Sequence, residues 1–296
     1  MQGLILINKP KGITSFSAVS KLKWLCETKR VGHTGTLDPM ATGVLPILIG
    51  RPTVLANYIL EADKEYIAEV KLGIKTDTLD ITGKVVGEKA VDVTAAQLKN
   101  AAEKFLGKIS QLPPMYSAIK KDGVRLYQLA REGKETEREA RTVNIKELEI
   151  FDFNKTDFKM RVLCSKGTYI RSLADDLGEA LGTYATLTRL ERTKTAGFSI
   201  ENTVSLDELT RENVANYILN EEEAVLNYPK INITKKQAIR FSNGGELSAE
   251  RLRGLGEPAE NKIYRVKFEN VFVGLGKFVT EKSAISPAAL INFVKE

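Results

Sequence analysis

Arg30-Val31-Gly32-His33-Thr34-Gly35-Thr36-Leu37-Asp38-Pro39-Met40-Ala41-Thr42-Gly43-Val44-Leu45-Pro46 is the stretch on which the reading of this chain turns. It contains the only histidine of the 296 residues and one carboxylate, Asp38, in a run otherwise free of acids. Gly32, Gly35 and Gly43 permit positive φ and close approach of a ligand to the main chain. Pro39 and Pro46 fix φ and withhold a donor. A loop so constrained, with little core to show for it, reads as a site. Asp and Pro also favour ordinary turns, so spacing alone admits a connector as well.

Outward from this loop the pattern is that of a mixed α/β chain. Before it, Leu4–Ile7 is a short apolar strand ending in the turn Asn8-Lys9-Pro10-Lys11-Gly12. Thr14 or Ser15 caps a helix running to about Cys26, with Val19, Leu22 and Leu25 near one face. After it, Val44–Ile49 is a buried strand. Lys64–Leu72 alternates, with Tyr66, Ala68, Val70 and Leu72 on one face and Ile67, Glu69 and Lys71 on the other. Gly73–Gly83 is expected as a polar connection. Thr94 and Gln97 form a capping box for a helix closing at Gly107. Val124–Glu132 is expected as a helix. Phe158, Met160, Val162 and Cys164 alternate as a strand, and Ile170, Leu173, Leu177 and Leu181 mark a helix face ending at Gly182. The composition changes at 222–232, where an acidic run and Asn227-Tyr228-Pro229 suggest a boundary. Beyond it Ile263–Phe268 and Val271–Val279 read as strands, with Gly244-Gly245 and Gly274-x-Gly276 as turns.

The bulk numbers narrow the function. A length of 296 residues suits two domains, and 43% hydrophobic with 28% charged residues is ordinary for a soluble globular protein. No apolar stretch reaches membrane-spanning length, and the first residues read as a strand, not a signal peptide. Cys26 and Cys164 stand in unrelated contexts, which fits a reducing cytoplasm. One histidine and two scattered cysteines argue against a zinc or iron site, though not against oxygen-ligated magnesium. No phosphate-loop or dinucleotide glycine motif is present. Lys and Arg number 44 against 38 Asp and Glu, giving a net charge of +6, which is compatible with a polyanionic partner.

The loop resembles the catalytic motif of the TruB family of pseudouridine synthases, the bacterial tRNA pseudouridine-55 synthases. The resemblance returns at separated places: Asn8-Lys9-Pro10-Lys11-Gly12-Ile13-Thr14-Ser15, Lys64-Glu65-Tyr66, Leu72-Gly73 with Thr76-Asp77-Thr78 and Asp80, Gln111-x-Pro113-Pro114-x-Tyr116-Ser117-Ala118, Arg125-x-Tyr127, Lys166-Gly167-Thr168-Tyr169-Ile170-Arg171-Ser172-Leu173, and Leu190. Met40 stands where leucine is common, a change of similar volume. The C-terminal part resembles, more weakly, the PUA RNA-binding domain that ends these synthases.

The resemblance implies isomerisation of a T-arm uridine at position 55 of tRNA to pseudouridine, without metal or organic cofactor and with the base flipped out of its stack. It gives catalytic roles to Asp38, Tyr66 and Arg171. Asp38 is the carboxylate that attacks either C1′ of the ribose or C6 of the base. Arg171, a cation at an unfavourable helix start, calls for an acidic partner; a guanidinium beside Asp38 would hold it, bidentately if geometry permits, and pull its pKa down. Tyr66 would stack on the base with its hydroxyl near C5. His33 would pack against the RNA loop, Tyr169, Ile170 and Leu190 would wall the pocket, and Lys9, Lys11 and Arg30 would meet phosphates.

The expected fold is α+β, with a mixed, mostly antiparallel central sheet and flanking helices over residues 1–228 and a small β-rich PUA-like domain over 229–296. The expected protein is a cytoplasmic monomer with no obligate protein partner. A guide-RNA-dependent synthase sharing these motifs, an RNA-binding or RNA-folding protein without catalysis, and a ribosome-associated structural protein are the rivals.

Overall fold

Alternation along Lys64–Leu72 sets the centre of the structure. Tyr66, Ala68, Val70 and Leu72 are buried while Lys71 is exposed, the period-two pattern of a strand with one face in the core. The computed structural model describes residues 1–294. The chain opens with β1 (Gly3–Lys9), α1 (Ser15–Leu25), β2 (Val31–His33), β3 (Thr42–Ile49), α2 (Ala56–Leu60), β4 (Lys64–Leu72), β5 (Ile74–Thr76) and β6 (Val85–Glu88). It continues through α3 (Ala95–Glu103), β7 (Gly107–Gln111), β8 (Lys120–Lys121), β9 (Val124–Arg125), α4 (Leu126–Arg131), β10 (Arg141–Asn154), β11 (Asp157–Cys164), α5 (Ile170–Ala180), β12 (Ala185–Thr195), β13 (Phe198–Ser199) and β14 (Val204–Ser205). The last part holds β15 (Lys230–Asn232), α6 (Lys235–Ser242), β16 (Leu247–Ser248), β17 (Ile263–Phe268), β18 (Val271–Val279) and β19 (Ala284–Leu290).

The fold is α+β. The large sheet runs β14-β1-β3-β12-β4-β11-β10-β7, with β2 on β3 and β13 on β12. The pairs β1–β14 and β3–β12 are parallel and the others antiparallel. Helices α1, α3 and α5 cover one face, where Leu22, Leu98, Leu173 and Leu177 join Ile7, Val70, Met160 and Leu187 in the main core. A second sheet, β15-β17-β18-β19-β16, closes over α6 through Phe241, Tyr264, Val266 and Ile285. Among the described residues no helix is long and apolar enough to cross a membrane.

Local signals account for the helix ends. Thr14 Oγ1 accepts from Ser17 N at the start of α1, and Thr94 forms the capping box of α3. Several connections differ from the sequence reading. The segment Gly73–Gly83 contains strand β5, which pairs with β6. Helix α3 ends at Glu103, because a turn intervenes before Gly107 starts the next strand. Val124 and Arg125 pair with Lys121 and Lys120 before α4 begins. Gly274 and Gly276 are not turn residues; they lie inside β18. A Cβ at Gly274 would fall 2.1 Å from the Ala289 carbonyl oxygen, and one at Gly276 2.3 Å from Ile285 Cγ2, so close strand packing selects glycine there.

The acidic run near 222 lies in a packed junction. The carboxylate of Glu222 accepts from Arg265 Nη1 at 2.7 Å and Lys267 Nζ at 2.6 Å. Glu221 accepts from Asn292 Nδ2 at 2.8 Å. Around them Leu4, Leu6, Leu48 and Ile59 pack with Val225, Phe272, Leu275 and Ile291, so the second sheet is seated on the back of the first.

Candidate active site

The loop between β2 and β3 is held from three sides. Ser15, at the start of α1, accepts from Leu37 N at 2.8 Å through Oγ and donates to Leu37 O at 3.1 Å. From the end of β1, Gly12 N donates to Pro39 O at 2.7 Å, and Asn8 Oδ1 accepts from Gly43 N at 3.2 Å. From β12, Arg192 donates to Val44 O at 2.8 Å and Gly35 O at 3.2 Å. A Cβ at Gly43, where φ is +105°, would lie 2.2 Å from the Arg192 carbonyl oxygen. Glycine is required there by conformation and by contact.

This scaffold presents Asp38 to Arg171, the second residue of α5. Arg171 Nε lies 2.9 Å from Asp38 Oδ2. The contact is through one nitrogen, not the bidentate fork. Arg171 Nη1 donates to Thr78 O at 3.0 Å and Nη2 to Tyr116 O at 2.8 Å. With both terminal nitrogens engaged and only 3% of the residue exposed, the guanidinium has one orientation. Asp80 brings a second carboxylate, its Oδ2 at 3.7 Å from Arg171 Nη1. Asp80 accepts from Thr82 N at 2.9 Å and Thr78 Oγ1 at 3.0 Å, and Leu79 beside it takes a positive φ of 61°. A leucine in that region is strained and persists only where its surroundings hold it.

Burial pushes the Asp38 carboxyl above its ordinary range, Arg171 opposes this, and Asp80 adds to it. Sequence reasoning alone expects the arginine to pull it down. Loss of water and a second negative charge outweigh one cation shared between two carboxylates.

Tyr66 lies on β4 opposite Arg192 of β12 and Val162 of β11. Burial raises its phenol, and the Arg192 guanidinium opposes that. Leu190, two residues before Arg192, is buried and pairs with Ala68. Tyr169 caps α5, with its N–H donating to Gln111 Oε1 at 2.7 Å and its carbonyl accepting from Gln111 Nε2 at 3.0 Å. Burial raises its phenol too, and both Arg171 and Asp38 are felt there. Ile170 is buried in the core. His33 is half-buried on β2 with Nδ1 lacking a hydrogen-bond partner, and burial followed by Arg192 lowers its pKa.

The basic residues divide. Lys11 and Arg30 are exposed. Lys9 does not reach the surface: it is fully buried, and its Nζ donates to Pro10 O at 2.7 Å, Ile13 O at 2.9 Å and Pro39 O at 3.4 Å. Burial brings its ammonium down to about 8, against the attraction of Asp38. The expected phosphate contact is therefore replaced by a structural one, because the end of β1 turns the lysine under the loop.

Asp38, Tyr66, Arg171, Tyr169 and Leu190 thus come from four segments: the loop before β3, strand β4, the start of α5 and strand β12. Sequence reasoning assigns no role at the site to Asp80, Arg192 or Gln111, and reads Ser15 only as a helix cap. Asp80 and Gln111 sit in motifs that carry the resemblance, and Arg192 sits two residues after Leu190 in Thr188-Arg189-Leu190-Glu191-Arg192-Thr193. A cavity of about 890 Å³ lies on the opposite face of the sheet, among Leu6, Tyr58, Leu163 and Phe198, away from this charge cluster.

Residues 23–170 match the TruB family pseudouridylate synthase N-terminal domain, and residues 171–228 the tRNA pseudouridylate synthase B C-terminal domain. The chain is 46% identical to the tRNA pseudouridine synthase B of Clostridium tetani over 95% of this chain and 97% of that one. Against the protein of the same name from Fusobacterium nucleatum the identity is 45%, over 93% and 95%. Among solved structures, a chain of a Cbf5-Nop10-Gar1 complex superposes with a TM-score of 0.75 at 26% identity, covering 99% of this chain and 84% of that one. A chain of the archaeal box H/ACA sRNP Nop10-Cbf5 complex gives 0.73 at 25%, covering 99% and 86%.

Proposed function

This chain belongs to the TruB family of pseudouridylate synthases and isomerises uridine in tRNA to pseudouridine, and on that premise we propose that its target is the T-arm uridine at position 55, with Asp38 as the catalytic carboxylate. The observation that carries the proposal is the Arg171–Asp38 contact at 2.9 Å, with Tyr66 close enough to feel the Asp38 charge.

The reaction breaks the N1–C1′ bond and forms a C5–C1′ bond; the C5 proton leaves and N1 gains one. Attack by Asp38 on C1′ displaces the base directly, whereas addition to C6 precedes cleavage. Both routes start from an ionised carboxylate aimed by Arg171. The ring of Tyr66 packs on the flipped base. Its raised pKa leaves less of the proton-accepting phenolate at neutral pH than a free tyrosine has, so stacking is its first role. Tyr169 and Leu190 keep water from the reacting sugar, and the turn bearing Lys11 and the strand after Arg30 face the RNA, with His33 holding the base out. The structured arm is recognised by shape, phosphates and unstacked bases. Residues 229–296 serve as a PUA-like RNA-binding domain; 295 and 296 lie outside the described residues. No chemical step calls for a cofactor. The protein acts as a cytoplasmic monomer.

The test is tritium release from C5 by the purified chain alone on a bare T-arm stem-loop. Release that stops when only the uridine equivalent to position 55 is replaced supports the reading. Release from another arm's hairpin and not this one contradicts it. The similar solved structures are assemblies with partner proteins, which favours a second, partner-dependent reading. That reading requires no release by the chain alone despite RNA binding.

A further inference from the structure

Helix α1 buries Ala18, Val19, Leu22 and Leu25 and leaves the rest of its surface open. On the open side Phe16 is 68% exposed and Trp24 60% exposed, large values for aromatic side chains. At 100° per residue Phe16, Ser20, Lys23 and Trp24 fall within about a quarter of the helix circumference. Eight residues at 1.5 Å each put the two rings about 12 Å apart along the axis. Cations flank both. Lys23 Nζ stands 5.8 Å from the Phe16 ring centre, and Arg211 Cζ 4.3 Å from that of Trp24. Arg211 also contacts Glu27 at 3.1 Å.

Two features fix what covers this stripe. The first is charge: Lys11, Lys21, Lys23, Lys29 and Arg30 reach solvent within or beside α1, against Glu27 in the same segment. Lys21 is loosely paired with Asp207 at 3.4 Å. An apolar protein partner would have to desolvate this cluster, whereas a polyanion is attracted by it. The second is continuity: Phe16 follows Ser15, whose hydroxyl holds Leu37, the neighbour of Asp38. Exposed aromatic rings set among cations are the recurring platform for unpaired bases.

We propose that the Phe16–Lys23–Trp24 face of α1 is a stacking surface for unpaired nucleobases of the bound tRNA, extending the RNA contact beyond the pocket of Asp38. The proposal rests on the reading of the chain as a tRNA-modifying enzyme.

Trp24 is the only tryptophan of the chain, so its emission reads this face directly. The experiment titrates the full-length protein with a tRNA transcript, following tryptophan fluorescence and filter binding in parallel, with Trp24→Phe as the optical blank. Quenching that saturates together with filter binding is expected. Phe16→Ala should weaken Kd by roughly 5- to 100-fold, the loss of one stacked base, with an unchanged Tm. Lys23→Ala should flatten the salt dependence of binding. Unchanged emission at RNA concentrations where filter binding saturates, or a Kd of Phe16→Ala within twofold of wild type, overturns the proposal and leaves the stripe to a protein partner. If Trp24 is quenched but no pseudouridine forms, the reading of the reaction fails and the stacking face stands.

Discussion

Arg171 Nε and Asp38 Oδ2 lie 2.9 Å apart, and the same guanidinium bonds the carbonyls of Thr78 and Tyr116. One side chain therefore ties the loop of Asp38 to two others that are remote in sequence. The arrangement explains why a cation stands at a helix start, where the helix dipole disfavours it: the neighbouring carboxylates and carbonyls supply the compensating charge.

Arg171→Lys keeps the charge but cannot span Asp38 and both carbonyls. We expect kcat to fall by about 100-fold, the cost of misplacing a catalytic group by an ångström. Arg171→Met should in addition destabilise the fold by about 3 kcal/mol, since it strips a partner from buried polar groups. Single-turnover rates and denaturant unfolding of the two variants check this. An Arg171→Lys enzyme with wild-type kcat contradicts it.

Asp38 is raised above the ordinary carboxylate value, with burial first and Asp80 adding to it. Activity needs the ionised form, so the acid limb of kcat/KM should lie above the ordinary carboxylate value, and Asp80→Asn should move it to lower pH. The stability consequence has a definite sign. A carboxyl raised in the folded state holds its proton after the unfolded chain has released it. Stability relative to Asp38→Asn should therefore be greatest below the unfolded value, and should decline as pH rises through the folded value. Unfolding curves of both proteins across that window would show it.

Lys9 bonds three carbonyls and is lowered to about 8. A lysine lowered on folding favours the unfolded state at neutral pH, and the penalty is relieved as pH rises from about 8 to the unfolded value near 10.5. Relative to Lys9→Met, the wild type should gain stability over that interval. Because Lys9 is enclosed, Lys9→Met should leave the salt slope of tRNA binding unchanged. A slope reduced by about one ion would return Lys9 to the phosphate role that its sequence position suggests.

Glu222 holds Arg265 and Lys267 at the junction of the two sheets, and the three side chains are at most 18% exposed. Glu222→Ala leaves two half-buried cations without their partner and should cost about 3 kcal/mol. Limited proteolysis should then cut the variant between β14 and β15 sooner than wild type.

The parts of this architecture that depend on neighbours in sequence were legible without a structure. Alternation placed Tyr66 on the inner face of β4, the capping residues Thr14 and Thr94 set two helix starts, and the constrained loop singled out Asp38. What depends on contacts across the fold was not. Nothing local says that Lys9 turns inward, because the carbonyls that receive it lie in the turn beyond β1 and at Pro39. Asp80 reaches Arg171 from 91 positions away in the chain, and Arg192 meets Gly35 across the sheet. Glu222 reads only as part of an acidic boundary until β17 is placed beside it. Gly274 and Gly276 read as turns until β19 is laid against β18, where their missing side chains are what allows the packing.

The most direct measurement is pseudouridine formation in a tRNA transcript by wild type and Asp38→Asn, at enzyme concentrations where filter binding shows both saturated. The account predicts full conversion by wild type and a rate at least about 10⁴-fold lower for the variant, with similar affinity for the tRNA. A variant within tenfold of the wild-type rate would contradict it and move the chemistry away from Asp38.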